Sequence, residues 1–247
     1  MQAPSSQVLL RIWEEQAGSH PIRRALALLD SASSEVEGVR WAQAPIGARE
    51  HGLLALYEDL FGPELNAVTD CPRCGESLES TFAAREIGLG SGTFPSEREP
   101  MRLRVQEFDI EYRLPTSEDL LGIVEDPDPP EDAPLRLLRS CVLAARRGGR
   151  ATALEDLPSE VLSRVTAEMA ERDPGADIRI GLTCPACAHG WTADFDIASY
   201  LLDELDDWAQ RTLAEVHILA RAYGWSEREI LDMSPIRRSH YIEMVQA

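Results

Sequence analysis

Two cysteine pairs are the residues of this chain best suited to chemistry. The first is Cys71-Pro72-Arg73-Cys74, followed by Gly75, and the second is Cys184-Pro185-Ala186-Cys187. A Cys-x-x-Cys turn directs both of its sulfurs toward one point, and two such turns supply the four thiolates of a tetrahedral structural zinc. The sequence therefore predicts one structural zinc with four ligands: Cys71, Cys74, Cys184 and Cys187.

The spacing of the pairs is unusual for a zinc ribbon. Residues 75–183 lie between them, whereas an ordinary ribbon has about 15–20 residues in that place. Either the ribbon carries a large insertion, or the pairs serve different purposes, as a disulfide or unrelated thiols would. Neither pair adjoins a strand–helix–strand pattern, which disfavours a thioredoxin-like redox site. Strand-like residues on both sides of the second pair, 177–182 and 190–195, favour the ribbon.

The residue after the second pair also departs from the usual pattern. Ala188 stands where such a turn usually has glycine. That position often requires a positive φ, where a residue with a side chain costs about 1 kcal/mol. We therefore expect the turn of the second cysteine pair to be strained or to have a different geometry. His189, the next residue, could replace a cysteine ligand, although four thiolates already complete the set.

Composition limits the class of partner. The chain of 247 residues has 43 acidic and 24 basic residues, a formal net charge of −19, and arginine is its only long basic side chain. A nucleic-acid-binding ribbon normally presents a basic face to phosphates. The acidity therefore opposes nucleic acid as the default partner and favours solubility or a basic protein partner.

Cysteine usage and hydropathy indicate the compartment. Four of the five cysteines lie in the two pairs, which fits a reducing cytosol better than a disulfide scaffold. The fifth, Cys141, lies on an apolar helical face and is expected to be a buried small hydrophobe. The sequence shows no signal-peptide pattern and no apolar run long enough to span a membrane. We therefore expect a soluble cytoplasmic protein without a membrane partner.

Periodicity predicts both helices and strands. Helices are expected at 8–16, 22–32, 46–61, 117–124, 135–147, 158–172, 197–223, 226–233 and 235–245. Strands are expected at 78–87, 177–182 and 190–195, with a hairpin at 101–114, a loop at 88–100 and an acidic, proline-rich linker at 125–134. The longest element is the helix 197–223, in which apolar residues recur at steps of three and four.

These elements predict an α+β fold. A small zinc-ribbon β-sheet with a large insertion is flanked by N-terminal helices and by a long C-terminal helix plus a helical hairpin. The expected regions are an N-terminal helical region, 1–65, and a zinc-ribbon domain, 66–196, which contains an inserted mixed subdomain at about 88–176. The C-terminal helix and hairpin make up 197–247.

The sequence contains no pattern typical of a catalytic site. It lacks a P-loop, a dinucleotide fingerprint, a nucleophile elbow and a His-Glu-x-x-His motif, and its histidines occur singly. Asp194 and Asp196 could act as a general acid and base. A solvated strand end that caps the next helix is the better interpretation of these two residues. A closed shell of four thiolates holds no water to activate. We therefore expect a protein that is not an enzyme, with no catalytic residues and no small-molecule substrate.

The C-terminal region carries a distinctive motif, Ala222-Tyr223-Gly224-Trp225-Ser226. It places two aromatic residues at a corner between helices, and a short helix follows. Aromatic and arginine side chains often anchor interfaces. One interpretation is a hairpin that docks onto a partner, and the other is a helical cap that buries its own aromatics. On the first, the partner-binding residues are Trp225, Arg237, Arg238 and Tyr241.

Several motifs together resemble a known family. They are Arg113-Leu114-Pro115-Thr116 before a short helix, the paired Cys-Pro-x-Cys turns, Trp191 before an Asp-Phe-Asp strand end, Glu215-Val216-His217, and the Tyr-Gly-Trp corner. From Trp13 onward the chain resembles baseplate-type proteins of phage-tail-like contractile injection systems, similar to T-even phage baseplate hub assembly proteins. The resemblance implies a non-enzymatic structural component or assembly chaperone of a contractile-tail baseplate, with other baseplate or tail proteins as partners.

Two other classes compete with this interpretation. A zinc-ribbon nucleic-acid or transcription-associated factor would show a contiguous arginine face. A zinc hydrolase would show a cleft with an open metal position.

Overall fold

The computed structural model describes residues 2–33, 39–84, 87, 100–127 and 132–246. In these residues the chain is mixed helix and sheet, with small antiparallel sheets, as the sequence predicted. The α-helices are α1 (Ser6–Glu15), α2 (Pro21–Ala32), α3 (Ile46–Phe61), α4 (Ser117–Val124), α5 (Ala133–Cys141), α6 (Ser159–Arg172), α7 (Ile197–Tyr223), α8 (Glu227–Leu231) and α9 (Pro235–Gln246). The strands are β1 (Glu64–Asp70), β2 (Ser77–Ala83), β3 (Met101–Val105), β4 (Phe108–Tyr112), β5 (Val142–Arg147), β6 (Arg150–Ala151), β7 (Arg179–Thr183) and β8 (Gly190–Asp194).

The chain forms two compact units. One comprises Met1–Glu37 and Ile197–Ala247, and the other comprises Gly38–Asp196. The unit boundary at 196/197 coincides with a predicted boundary, whereas α3 belongs to the second unit and not with α1 and α2. The three-part domain division at 65/66 and 196/197 stays a prediction. The predicted loop at 88–100 lies almost entirely outside the described residues, as does part of the linker at 125–134.

The first unit is helical and is organised around α7, whose bounds agree with the predicted 197–223. Leu201, Leu205 and Leu219 of the predicted apolar stripe are buried, because steps of three and four residues keep them on one helix face. Asp206 on α7 accepts hydrogen bonds from the Trp13 indole, at 2.8 Å, and from the Arg24 guanidinium, at 2.6 Å. One carboxylate therefore ties both α1 and α2 to α7.

In the second unit, α3 begins without a capping side chain of its own, because Pro45 occupies its N-cap position. The Asp173 carboxylate supplies the cap from 126 residues away and accepts the Gly47 N–H at 3.0 Å. A Cβ atom at Gly47 would lie 1.9 Å from Asp173 Oδ1, so a side chain there would displace the Asp173 carboxylate. Burial raises the pKa of Asp173 above its usual value, although the Gly47 N–H and Arg49 oppose that shift.

The four-stranded antiparallel sheet of the second unit has the order β3-β4-β5-β6. The predicted 101–114 hairpin is confirmed, with Gln106 at φ 53° in its turn. One face of the sheet packs into a core. The members of that core include Phe108, Ile110, Tyr112, Cys141, Val161, Val165 and Met169. Cys141 is fully buried, as predicted.

The predicted helix 135–147 is wrong in its second half, because residues 142–147 form β5. Arg147 pairs with Arg150 across a two-residue turn, Gly148-Gly149, in which both φ values are positive. Two residues of positive φ define the tight hairpin turn that matches strand twist. The Gly-Gly pair was therefore a hairpin signal, and pairing with β4 decided the conformation of a stretch whose own pattern is compatible with a helix.

A polar network fixes the start of α4. Thr116 is its N-cap, and its N–H donates to Asp119 Oδ2 at 2.9 Å in a capping box. Arg113 also donates two hydrogen bonds to Asp119, at 2.6 and 2.7 Å. Burial disfavours the Asp119 carboxylate, but these hydrogen bonds outweigh it and lower the pKa of Asp119 to about 2. None of the helices in the described ranges is long and apolar enough to cross a membrane.

Candidate metal centre

Each cysteine pair lies at the tip of an antiparallel β-hairpin. β1 and β2 are joined by residues 71–76, and β7 and β8 by residues 184–189. The strand–turn–strand arrangement predicted around the second pair is confirmed. Around the first pair, β2 was predicted and β1 was not, because the exposed Val68 interrupts the apolar–polar alternation of the β1 sequence, although burial alternates along the strand.

The two turns have the same backbone hydrogen bonds. In the first, the Gly75 N–H donates to the Cys71 carbonyl at 2.9 Å and the Cys71 N–H donates to the Glu76 carbonyl at 2.8 Å. In the second, the Ala188 N–H donates to the Cys184 carbonyl and the Cys184 N–H to the His189 carbonyl, both at 2.9 Å. The two pairs are therefore copies of one local structure.

This equivalence extends to the residue after each pair. Gly75 has φ 74° and Ala188 has φ 56°. Both lie in the left-handed region, which glycine adopts readily and alanine only with strain. The strain expected at Ala188 from the sequence is therefore borne out as a positive φ, without a different turn.

The hairpin tips bring all four predicted cysteines together. One ligand atom from each of Cys71, Cys74, Cys184 and Cys187 lies within 4.8 Å of the others. The Sγ atoms of Cys71 and Cys187 are 3.8 Å apart, and those of Cys74 and Cys184 are 3.6 Å apart. All five cysteines of the chain are free thiols. The four clustered sulfurs could hold a metal ion.

The sulfur distances fit a tetrahedral thiolate site. A Zn–S bond of about 2.3 Å places neighbouring sulfurs about 3.8 Å apart at the corners of a regular tetrahedron. Both of these sulfur–sulfur contacts between the hairpins are close to that value, so the donor set fits such an ion without a large rearrangement. Cys71 and Cys184 are buried at 2% and 1% exposure, whereas Cys74 is exposed. The inner half of the site is therefore sealed by protein.

The thiols influence each other's ionisation. Burial disfavours the Cys71 thiolate, but hydrogen bonds from the backbone of Arg73 and Cys74 and from neighbouring thiols lower the pKa of Cys71 to about 7. At Cys74 the Glu76 N–H favours the thiolate, but the surrounding sulfurs outweigh it and raise the pKa to about 12. Four adjacent sulfurs do not all ionise without a cation, and a bound metal would take the place of their protons.

The residues around the sulfurs are mainly apolar. Leu78 and Trp191 pack against the cysteine cluster. The His189 ring stacks on Trp191, with ring centroids 6.2 Å apart and planes 9° apart. His189 does not join the four sulfurs, so the alternative of a histidine ligand gains no support. Phe82 and Phe195, one beside each hairpin, meet edge to face at 5.6 Å.

The other residues considered for chemistry lie apart from the sulfurs. His20 caps α2, because its Nδ1 accepts the Ile22 N–H at 3.3 Å. His217 is exposed on α7, and His240 lies 3.4 Å from Glu243. Asp194 is exposed and lies 3.7 Å from the Arg179 guanidinium. None of these contacts resembles a nucleophile–base pair.

The aromatic corner at the end of α7 is compact and partly exposed. Tyr223 stacks on Trp225 with centroids 4.5 Å apart, and Tyr241 meets both rings edge-on, at 5.7 and 4.9 Å. Tyr223 is 40% exposed, and Trp225 and Tyr241 are half-buried, so none of the three rings is fully buried in a helical cap. On α9, Ile236 and Met244 are 74% and 66% exposed. We call these five residues the aromatic corner.

The two arginines predicted as partner-binding differ in position. Arg237 is exposed. Arg238 is only 2% exposed, and its guanidinium pairs with Glu215 at 2.9 Å and donates to the Met233 carbonyl at 3.1 Å. Arg238 therefore joins α9 to α7 and does not offer its guanidinium to a partner. The sequence did not distinguish the two, since they are adjacent and α9 has no clear apolar stripe.

Comparison with protein-family models, with curated proteins and with solved structures finds no match to this chain.

Proposed function

We propose that the four cysteines bind one structural zinc, and that the protein is a non-enzymatic component or assembly chaperone of a contractile-tail baseplate. The observation that carries the metal proposal is the sulfur cluster formed by Cys71, Cys74, Cys184 and Cys187. Zinc is the ion that a tetrahedral set of four thiolates suits best. The proposed compartment is the cytoplasm, where thiols stay reduced.

A site of this kind favours a structural role over catalysis. Catalytic zinc keeps one position open for water or substrate, whereas four thiolates complete the coordination. The four sulfurs also lie at the tips of two hairpins from distant parts of the chain. A metal bound to them would link these hairpins, as structural metals do. A zinc hydrolase would need an open position on the metal, and four thiolate ligands leave none.

The proposed partner surface is the aromatic corner. It is part of the motif on which the resemblance to baseplate proteins depends, and it leaves aromatic and aliphatic area open to solvent. Partly exposed aromatic residues beside open aliphatic ones are typical of interface anchors. Of the two arginines predicted as partner-binding, Arg237 is available to a partner and Arg238 is not.

Metal analysis of the purified protein tests the zinc proposal. We expect about one zinc per chain, and Co²⁺ substituted for it should give the absorption of a tetrahedral thiolate complex. Cys184→Ser should remove the metal. Cys141→Ala is the matched control, since Cys141 lies outside the cluster and its replacement should leave the metal content unchanged. A protein that retains its four reduced cysteines but binds no zinc would contradict the proposal.

Affinity purification from the native cell tests the assembly role. We expect contractile-tail or baseplate proteins among the co-purifying chains. The double substitution Ile236→Asp and Met244→Asp should abolish their recovery while the protein stays folded, since both side chains are exposed. Val68→Asp is the control, because Val68 is 71% exposed and lies on β1. Recovery of no tail proteins, or equal recovery with all variants, would contradict this assignment.

A further inference from the structure

The outer face of the four-stranded sheet is unusually rich in arginine for so acidic a chain. Arg102 and Arg104 lie on β3, Asp109 and Glu111 on β4, and Arg146 on β5. These five side chains share one face, because alternate residues of a strand point the same way. The opposite face carries Phe108, Ile110 and Tyr112 into the core. We call the outer set the arginine face.

Strand register orders these charges in two rows. Asp109 lies opposite Arg104 on one side and Arg146 on the other, so one row has two arginines and one acid. Arg102 lies opposite Glu111, which faces the small Ala144 on β5. The face therefore has a local excess of positive charge, although the chain carries a net charge of −19.

The arginines are weakly engaged within the protein. Arg104 is 3.7 Å from Asp109, and their side chains are 76% and 55% exposed. An ion pair of that exposure contributes little to stability. In the described part of the chain, neither Arg102 nor Arg146 has an ion pair. At least two guanidinium groups therefore keep their donors for another molecule.

The face is also concave. The five side chains, with Leu103, Ile110, Ala144 and Gly149, surround a depression of about 450 Å³. No aromatic residue lines it among those described, since Phe108 and Tyr112 point to the core. A surface without aromatic rings lacks the stacking platform on which single-stranded nucleic acid is bound.

We propose that the arginine face binds an extended, acidic segment of a partner protein. In an extended chain, carboxylates at alternate positions lie about 6.6–6.8 Å apart, which is also the spacing of Arg102 and Arg104 along β3. Arginine binds carboxylates through paired hydrogen bonds of defined geometry. The neutral residues between the acids would point away from the face, so no further carboxylate would be brought against Asp109 and Glu111.

A nucleic-acid strand fits the same face less well. Every linkage of its backbone carries a negative charge, so phosphates would also be placed against Asp109 and Glu111. The three arginines are also too few to offset the repulsion of a strongly acidic protein along a long nucleic acid. A short peptide meets that repulsion only locally, because charges are screened over about 8 Å at physiological ionic strength. In addition, two acidic residues interrupt the arginines, so this surface is not the contiguous arginine face expected of a nucleic-acid factor.

Fluorescence anisotropy with a labelled peptide of six Ser-Glu repeats tests the proposal. We expect salt-dependent binding at 50 mM salt, weakened at least tenfold in the double variant Arg102→Glu and Arg146→Glu. The matched control is Arg221→Glu with Arg228→Glu, two exposed arginines on α7 and α8, which makes the same change in net charge. The control should change the affinity less than twofold. If the double variant loses its circular dichroism spectrum, Arg146→Gln alone should still weaken binding at least threefold.

Three outcomes would overturn the proposal. They are no peptide binding by the wild type, equal weakening in the control and the arginine-face variant, and binding of a 20-nucleotide single strand or a 20-base-pair duplex as tightly as the peptide. The inference does not depend on the proposed zinc or baseplate role. Metal content and tail-protein recovery measure those separately, so each can fail without the other.

Discussion

The matched positions Gly75 and Ala188 allow the cost of a side chain in the left-handed region to be measured inside one protein. Both residues follow a Cys-x-x-Cys turn and donate the same hydrogen bond to the first cysteine of the pair. Their φ values are 74° and 56°. We predict that Ala188→Gly stabilises the protein and that Gly75→Ala destabilises it.

The expected magnitude is a difference between two opposing effects. An L-residue in the left-handed region costs about 1–2 kcal/mol relative to its favoured conformations. Glycine, for its part, loses more conformational freedom on folding, which costs about 0.4–1 kcal/mol. The strain is the larger effect, so Ala188→Gly should gain about 0.5–1 kcal/mol. Gly75→Ala should lose a similar amount, because a Cβ there meets nothing within 4 Å and adds no clash.

Chemical denaturation of the metal-loaded protein is the appropriate assay, with thermal unfolding as a second readout. A change of 1 kcal/mol corresponds to about 2–4 °C in Tm for a chain of this size. The double variant, which exchanges the two residues, should have nearly the stability of the wild type. If both single variants change stability in the same direction, the two turns are not equivalent and the reasoning from their backbone fails.

Three further predictions concern stability and can be measured by denaturant unfolding. Gly47→Ala should cost at least about 2 kcal/mol because its Cβ displaces the Asp173 cap. Gly122→Ala, inside α4, should gain about 0.5–1 kcal/mol, because a Cβ there meets nothing within 4 Å. Equal effects of the two substitutions would contradict the role of Asp173 as a cap. Asp119 has a folded pKa of about 2 against an ordinary 3.8. Its ionised carboxylate therefore contributes roughly 2 kcal/mol to the free energy of unfolding above pH 4, and this contribution is lost as the pH falls toward 2. Asp119→Asn should be less stable than wild type at pH 7 and nearly equal to it at pH 2, and a difference that persists at pH 2 would refute the contribution of the carboxylate. Glu215→Ala should cost about 2 kcal/mol because it leaves buried Arg238 unpaired, and it should cost more than Arg238→Met, which removes the charge; the reverse order would show that packing outweighs the ion pair.

Helices were the elements most predictable from sequence, because their signals are local. In α7, apolar residues that recur at steps of three and four indicate the extent of the helix, and Gly224 indicates where it ends. The capping box at Ser226 and Glu229 and the proline at the start of α9 are equally local. For the same reason the four metal-binding candidates were found from spacing alone, since each pair lies within one turn.

Features that depend on distant partners were missed. β1 and β5 are strands because β2 and β4 pair with them, and neither has the alternation that would identify it alone. The cap on α3 comes from Asp173, 126 residues away, and nothing near Pro45 indicates it. Arg238 and Arg237 are neighbours with the same side chain, and only the position of Glu215 on α7 decides which one is buried. The arginine face likewise depends on the register of three strands, which the sequence alone does not show.

The long insertion gives the proposed metal more influence on stability than a metal in an ordinary ribbon would have. Binding at the hairpin tips would close a loop that runs from Cys74 to Cys184, and the chain entropy removed from the unfolded state grows with the length of such a loop. A cross-link that closes about 100 residues is worth about 4–5 kcal/mol by that argument, against about 3 for a loop of about 15. The insertion also has its own core around Phe108, Ile110 and Val161, which helps to keep its two ends together. The metal and this core would therefore act on the same closure, each lowering the cost of the other.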